Sequence, residues 1–320
     1  VGTAKIYQNA SRHMHREHYN KTVTDVKKTF QSVLLSREVL KLMLASLKNA
    51  EDNLRNVEVM YREGIVSEYD FIRAQVQTDN IRPRVIEAER SVVLATNGLK
   101  LLLSLSPEED IDVQGRLAFE PVDDVLITEA ERLAVEKNAS LQALGEQTRV
   151  NEKITTIYRS ESMPTLAAFG SYSWLAENDA LGRISTSDFI TTSFVGVTLS
   201  LNIFNGLQTT ARVNQAEIDH RQSLEQLSAA RDGLITNAKN IRYRLDESRR
   251  RIESQTRTVE QAEKGYRIAV TRYGSGSGTQ LEVNDADLAL LQARVNRVQA
   301  IYDYTQARAD LEQLLSLNQP

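Results

Sequence analysis

Glu282 and Asp285 lie three residues apart, so on a helix both carboxylates project from one face. From the residues alone the pair reads as a solvated helix start, since acids are favoured near the positive end of the helix dipole. The run Gly274-Ser275-Gly276-Ser277-Gly278 superficially suggests a phosphate-binding loop, but no Lys-Ser/Thr follows it and no strand-like segment precedes it. His15 and His18 could share a face with His13 nearby, yet Glu17 is the only further ligand type in that run, so a solvated helix surface is expected and no metal. No serine–histidine–acid or general acid–base constellation emerges. The chain has no cysteine, which removes disulfides, thiolate metal sites and catalytic thiols. A net charge of -4 without a basic, aromatic-interleaved cluster argues against a nucleic-acid partner. No enzyme and no cofactor are expected.

The elements that would carry the acidic pair are long. Only 5 prolines and 14 glycines punctuate 320 residues. Aligned with itself, the sequence matches without a gap at an offset of 212, the separation of Val1 from Val213: Ala50-Glu51 falls on Ala262-Glu263, Tyr61 on Tyr273, Gly64 on Gly276, Ala74 on Ala286, and Leu102–Leu105 on Leu314–Leu317. Val33, Leu40, Leu47, Leu54 and Tyr61 recur every seven residues, as do Leu245, Ile252, Val259, Tyr266 and Tyr273; Leu227, Leu234 and Ile241 precede the second series by a four-residue step. Sevens make a left-handed coiled-coil seam, and the inserted four is a stutter. Leu288, Leu291, Val295, Val298 and Tyr302 then read as the returning arm's seam. Each copy is predicted to be a helical hairpin, with tips at 61–70 and 273–282 and a kink at Pro83. Residues 207–272 as one helix would span roughly 100 Å, too long to stand without partners along its length.

Between the copies the pattern changes. Residues 112–121 read as an extended connection, 124–137 as a short amphipathic helix and 140–160 as another helix. Two period-two segments follow, Thr165–Leu175 and Ser193–Phe204, separated by a polar loop at 177–188. Leu166, Ala168, Tyr172 and Trp174 share one face of the first; Val195, Val197, Leu199, Leu201 and Ile203 share one face of the second, opposite Gly196, Thr198, Ser200 and Asn202. Strands of about ten residues with this alternation suit a tilted membrane-barrel span, with Trp174 and Tyr172 placed for an interfacial girdle. They suit equally a hairpin packed on a soluble core. No run approaches a membrane-spanning helix, and no signal peptide is visible at Val1. The expected segmentation is 1–112 (first hairpin), 113–138 (connection with a short helix), 139–162 (helix), 163–204 (β-hairpin) and 205–320 (second hairpin).

The two tips, Tyr61-Arg-Glu-Gly64-Ile-Val-Ser67-Glu-Tyr-Asp70 with Ala74 and Tyr273-Gly-Ser-Gly276-Ser-Gly-Thr279-Gln-Leu-Glu282 with Asp285 and Ala286, resemble, together with the duplication and the strand pair, those of TolC-like outer-membrane factors. The resemblance implies a mainly α fold of two tandem coiled-coil hairpins plus barrel strands, and a passive export duct of a tripartite efflux or secretion system. It implies a homotrimer in outer-membrane lipid with a periplasmic extension, docked through its tips (Gly64, Ile65, Ser67, Gly276, Thr279) to a periplasmic adaptor that recruits an inner-membrane pump. It implies further that Glu282 and Asp285 ring the tunnel entrance, that Tyr273 and Asp70 form a hydrogen-bonded gate link, and that Tyr172, Trp174, Val195, Val197, Leu199 and Leu201 face lipid. Two departures stand out. The family's closing arginine is here Gly278, and the sequence supplies two of the four strands per subunit, so a helix and strand pair are expected upstream of Val1; alone, this chain is not expected to close a pore. The competing expectation is a soluble periplasmic coiled-coil adaptor or interaction protein.

Overall fold

A computed structural model describes residues 2–176 and 189–318; the polar loop at 177–188 lies outside the described residues. The order is α1 (Gly2–Arg62), α2 (Glu68–Leu102), α3 (Asp124–Thr128), α4 (Ala130–Lys137), α5 (Ala139–Ser160), β1 (Thr165–Ala176), β2 (Phe189–Ser200), α6 (Gln208–Gly274) and α7 (Gln280–Leu314). The chain divides into two compact units. One comprises 1–12 and 143–230; the other comprises 13–142 and 231–320.

The second of these holds both hairpin tips and most of each hairpin, and the 212-residue offset reappears in its geometry. α2 and α7 start and stop at equivalent positions, 68 with 280 and 102 with 314. Gly64 and Gly276 both have positive φ (72° and 73°), as do Ser104 and Ser316 (56° and 51°). At each tip the chain leaves its helix through the same pair of bonds. Gly64 N–H donates to Tyr61 O (2.9 Å) and Ile65 N–H to Met60 O (2.8 Å), while Gly276 N–H donates to Tyr273 O (3.0 Å) and Ser277 N–H to Arg272 O (2.9 Å). This Schellman closure needs a left-handed residue just past the helix, where glycine carries no steric penalty.

Most heptad positions point inward, with Tyr61 (38% exposed) the exception. Val33 is fully buried with Leu34, Leu99 and Val113, and Leu40 and Leu47 pack on Ala50, Ile81 and Val85. Ile241, Leu245 and Ile252 form one cluster with Ala130, Ala134, Ala300, Ile301, Tyr304, Ala307 and Leu311. On the returning arm Leu291 is buried as expected, but Leu288 is 47% exposed, and burial on α7 runs also through Val283, Leu290, Ala293, Ala300, Ile301, Tyr304, Ala307 and Leu311. Ala293, Ala300 and Ala307 recur every seven residues among these positions, so small side chains share the contact line with Leu290, Ile301, Tyr304 and Leu311. α2 continues through Pro83 as one helix. Glu129 (φ -88°, ψ 2°) splits the predicted 124–137 helix into α3 and α4. Asn138 joins two elements, accepting from Leu141 N–H at the start of α5 (3.0 Å) and donating to Leu314 O at the end of α7 (3.0 Å).

In the first unit, β1 and β2 form an antiparallel ribbon with Thr165 opposite Ser200 and Ala176 opposite Phe189. β2 therefore begins four residues before the expected Ser193 and ends at Ser200, leaving Leu201 and Ile203 beyond the strand. Continued pairing would set Leu201 against Pro164, which has no N–H to donate. α5 and the early part of α6 are joined within this unit by Arg159–Glu217 (2.5 Å) and Arg212–Glu161 (3.3 Å) ion pairs and by Thr148 Oγ1 donating to Ser223 O (3.4 Å).

Candidate functional site

At the first tip Ser67 caps α2. Asp70 N–H donates to Ser67 Oγ (3.2 Å), and Ser67 N–H donates back to Asp70 Oδ2 (3.3 Å), completing a capping box. Tyr61 stacks on Phe71 with ring centroids 5.4 Å apart, and Ile65 stands exposed at the apex. Below the tips, Val57 from α1, Ala74 from α2, Ala269 and Tyr273 from α6 and Val283 from α7 pack into one core cluster.

The second tip repeats the frame with different chemistry. Thr279 Oγ1 accepts from Glu282 N–H (3.3 Å), but the Glu282 carboxylate does not return to the cap. It turns to Arg272, whose Nη1 lies 3.5 Å from Glu282 Oε2 and whose Nη2 donates to Ser277 O (3.0 Å). Asp285 is exposed and forms no ion pair among the described residues. Glu282 and Asp285 thus share the first turns of α7 in unlike states, one compensated and one open. Gly278 fills the remaining space: a Cβ there would stand 3.0 Å from Arg272 Cβ, 3.0 Å from Glu282 Oε2 and 3.1 Å from Tyr273 N.

Tyr273 and Asp70 are neighbours without a hydrogen bond. The Tyr273 side chain is 8% exposed, and its hydroxyl is buried without a partner. Burial first, and the nearby Asp70 charge second, push its ionisation above the ordinary tyrosine value. Asp70 keeps its carboxylate in the Ser67 cap.

Two residues escaped the sequence reading. Arg272 is hidden there because an arginine on a charged helix carries no signal of its own. Asp287, only 8% exposed, accepts from Ser46 Oγ (3.0 Å) and Asn49 Nδ2 (3.2 Å) on α1. Burial, foremost, raises its pKa.

On the ribbon, the register sets Leu166 opposite Leu199, Ala168 opposite Val197, Tyr172 opposite Ser193 and Trp174 opposite Thr191. Both predicted apolar sets therefore share one side. That side is open: Val195 is 89% exposed, and Leu166, Val197, Leu199, Tyr172 and Trp174 are exposed as well. The other side mixes Gly196, Thr198 and Ser200 with Phe169 and Phe194, whose rings meet edge-on at 6.0 Å. Among the described residues no cluster of metal-ligating side chains occurs and no helix is long and apolar enough to cross a membrane.

Matching capped hairpins in tandem, the second preceded by an exposed strand pair, define the class: a duplicated helical-hairpin protein with a single β-ribbon. Known proteins place it further. The outer membrane efflux protein family model matches residues 132–317, and the chain belongs to that family. It is similar to outer membrane protein TolC of Vibrio cholerae (22% identical over 297 residues, 91% of this chain and 66% of that protein). It is also similar to cobalt-zinc-cadmium resistance protein CzcC of Cupriavidus metallidurans (24% identical, 91% of this chain and 66% of that protein). The crystal structure of outer membrane protein VceC from Vibrio cholerae superposes with a TM-score of 0.83 at 15% identity, covering 98% of this chain and 74% of that one. The chain thus spans two thirds or less of the curated relatives' length (66% and 59% of the first two).

Proposed function

We propose that this chain is the hairpin-and-ribbon portion of a subunit of an outer-membrane export channel, a passive conduit without cofactor or catalytic step. The observation that carries the reading is the ribbon. Its two strands expose apolar side chains on both faces and leave unpaired edges, and an isolated two-stranded ribbon is marginal in water. In a bilayer such edges must be satisfied by further strands, and a closed barrel does so. A soluble adaptor would instead bury its ribbon on its own body, and no residue of β1 or β2 is buried.

Homotrimer formation in outer-membrane lipid completes the barrel. α2 supports this by exposing Ile72, Val76, Ile86, Val93, Leu94 and Leu101, an apolar face that a neighbouring subunit would cover. The tips, with Gly64, Ile65, Ser67, Gly276 and Thr279 presented around two closed turns, dock a periplasmic adaptor, through which an inner-membrane pump supplies the driving force. Glu282 and Asp285 ring the tunnel entrance, and Tyr273 with Asp70 contributes to its closed state. The test is the state of the full-length gene product. Extracted from outer membranes it should be a trimer that conducts ions across a planar bilayer; a monomeric, water-soluble product would overturn the reading.

A further inference from the structure

The two tips share one backbone frame but dispose of their equivalent acids differently. Asp70 and Glu282 occupy the same repeat position, three residues after the caps Ser67 and Thr279. In the first copy Met60 stands where the second has Arg272, and the acid closes the capping box. In the second copy Arg272 draws the acid away: its guanidinium is anchored on Ser277 O at 3.0 Å and faces Glu282 Oε2 at 3.5 Å. Gly278 is what leaves room for this pair, because any side chain there would press on Arg272 Cβ and Glu282 Oε2. Asp285, one turn on, is exposed and uncompensated.

Given the acidic-ring reading above, we propose that Arg272 is a selectivity-determining residue of the tunnel entrance, neutralising Glu282 so that Asp285 carries the ring's net charge. An exposed ion pair contributes little stability, but neutralisation asks only that the cation stay near the carboxylate. A cation 3.5 Å from an anion cancels most of its field at several times that distance, which is where a permeating ion passes. In a trimer this leaves three uncompensated charges in place of six. The second tip then attracts cations only moderately, and the degree is set by position 272.

The experiment is the reversal potential of the full-length trimer in planar bilayers under a KCl gradient. Arg272→Gln should raise the cation-to-anion permeability ratio about two- to fivefold at ~0.1 M salt, an effect that should largely vanish near ~1 M as the Debye length contracts. Adding Glu282→Gln to that variant should return the ratio to the wild-type value. Arg272→Lys, which keeps the charge but not the guanidinium's geometry, should behave as wild type; a purely structural staple would instead make Lys and Gln equally disruptive. If Arg272→Gln leaves the ratio unchanged while the Glu282→Gln, Asp285→Asn pair lowers it, the ring stands and the role of Arg272 is overturned. If the acid pair also changes nothing, the ring fails and this role fails with it.

Discussion

Asp287 occupies the environment least suited to its type. Its carboxylate is buried at the junction of α7 with α1, where Ser46 and Asn49 donate to it. Asn284 on α7, Gln77 on α2 and Tyr266 on α6 line the same small cavity. Arg294 on α7 is near enough to oppose the shift but is itself paired with Glu263 at 2.8 Å, while Tyr266 is raised by burial, then by the charges of Asp287 and Asp52. The Asp287 pKa rises from its ordinary 3.8 because burial outweighs those two hydrogen bonds. A raised folded-state value means that the folded chain holds the proton more tightly than the unfolded one. This contribution to stability is therefore complete below the unfolded value and is lost as pH rises through the folded value. Asp287→Asn should remove that loss. Thermal unfolding followed by circular dichroism should shift up at pH 7 and hardly change near pH 3.5; a lower midpoint at pH 7 would show that the charged form is the stabilising one. Tyr273 poses the complementary case. Its hydroxyl is buried and unpartnered, so Tyr273→Phe should leave the chain's own stability within about 0.5 kcal/mol or improve it, whereas in the assembled channel it should raise conductance if the hydroxyl holds the gate. Neither environment is legible in the sequence, since an aspartate in an acid-rich helix start reads as solvated. Only the fold puts Ser46 and Asn49, some 240 residues away, against it.

At the scale of elements, the helices were written plainly in the sequence because their signals are local and repeated. Seven-residue spacing located α1 and α6, and the paired Gly64 and Gly276 located both turns. Where the signal was not local, the reading slipped. The stretch from Phe189 to Ser193 lacks apolar alternation, yet it is strand because Tyr172–Ala176 pairs with it; Leu201 and Ile203 keep the alternation and lose their partner at Pro164. The seam expected on α7 carries only larger side chains, whereas its buried line also runs through Ala293, Ala300 and Ala307. The caps allow a direct test of how far the two copies differ. Ser67→Ala removes a reciprocal capping box and should cost about 1–2 kcal/mol, whereas Thr279→Ala removes a one-way cap and should cost about 0.5–1 kcal/mol. Denaturant unfolding midpoints would report both, and equal losses would mean that the Glu282 carboxylate returns to its cap in solution. Gly64→Ala and Gly276→Ala should each cost about 1 kcal/mol although open space surrounds both positions, because the strain lies in their positive φ rather than in any contact.

For the whole molecule, the duplication explains which surfaces remain to be covered. α2 and α7 are equal in length and equivalent in sequence position, but α7 is buried along most of its course and α2 exposes a row of large apolar residues. A repeat whose second copy is enclosed and whose first copy is open leaves an apolar face uncovered, which a neighbouring subunit of the proposed ring would cover. The ribbon makes the same demand in a different solvent. Its register puts Val195, Val197 and Leu199 on the side shared by Leu166, Tyr172 and Trp174, and Thr198 on the other. If the first side meets lipid, Val197→Lys places an ammonium in hydrocarbon and should cost about 2–4 kcal/mol near the bilayer midplane, while Thr198→Lys, one residue away but facing the lumen, should be tolerated. The readout is the amount of assembled trimer recovered from outer membranes for each variant of the full-length protein. Loss for Val197→Lys alone would establish which face meets lipid. Equal loss would mean that both faces are packed, as in a ribbon buried by protein, and equal tolerance would mean that neither enters the membrane. Because the two substitutions add the same charge to adjacent residues of one strand, β-propensity and charge effects common to both cancel, and what remains is the environment on each side of the sheet.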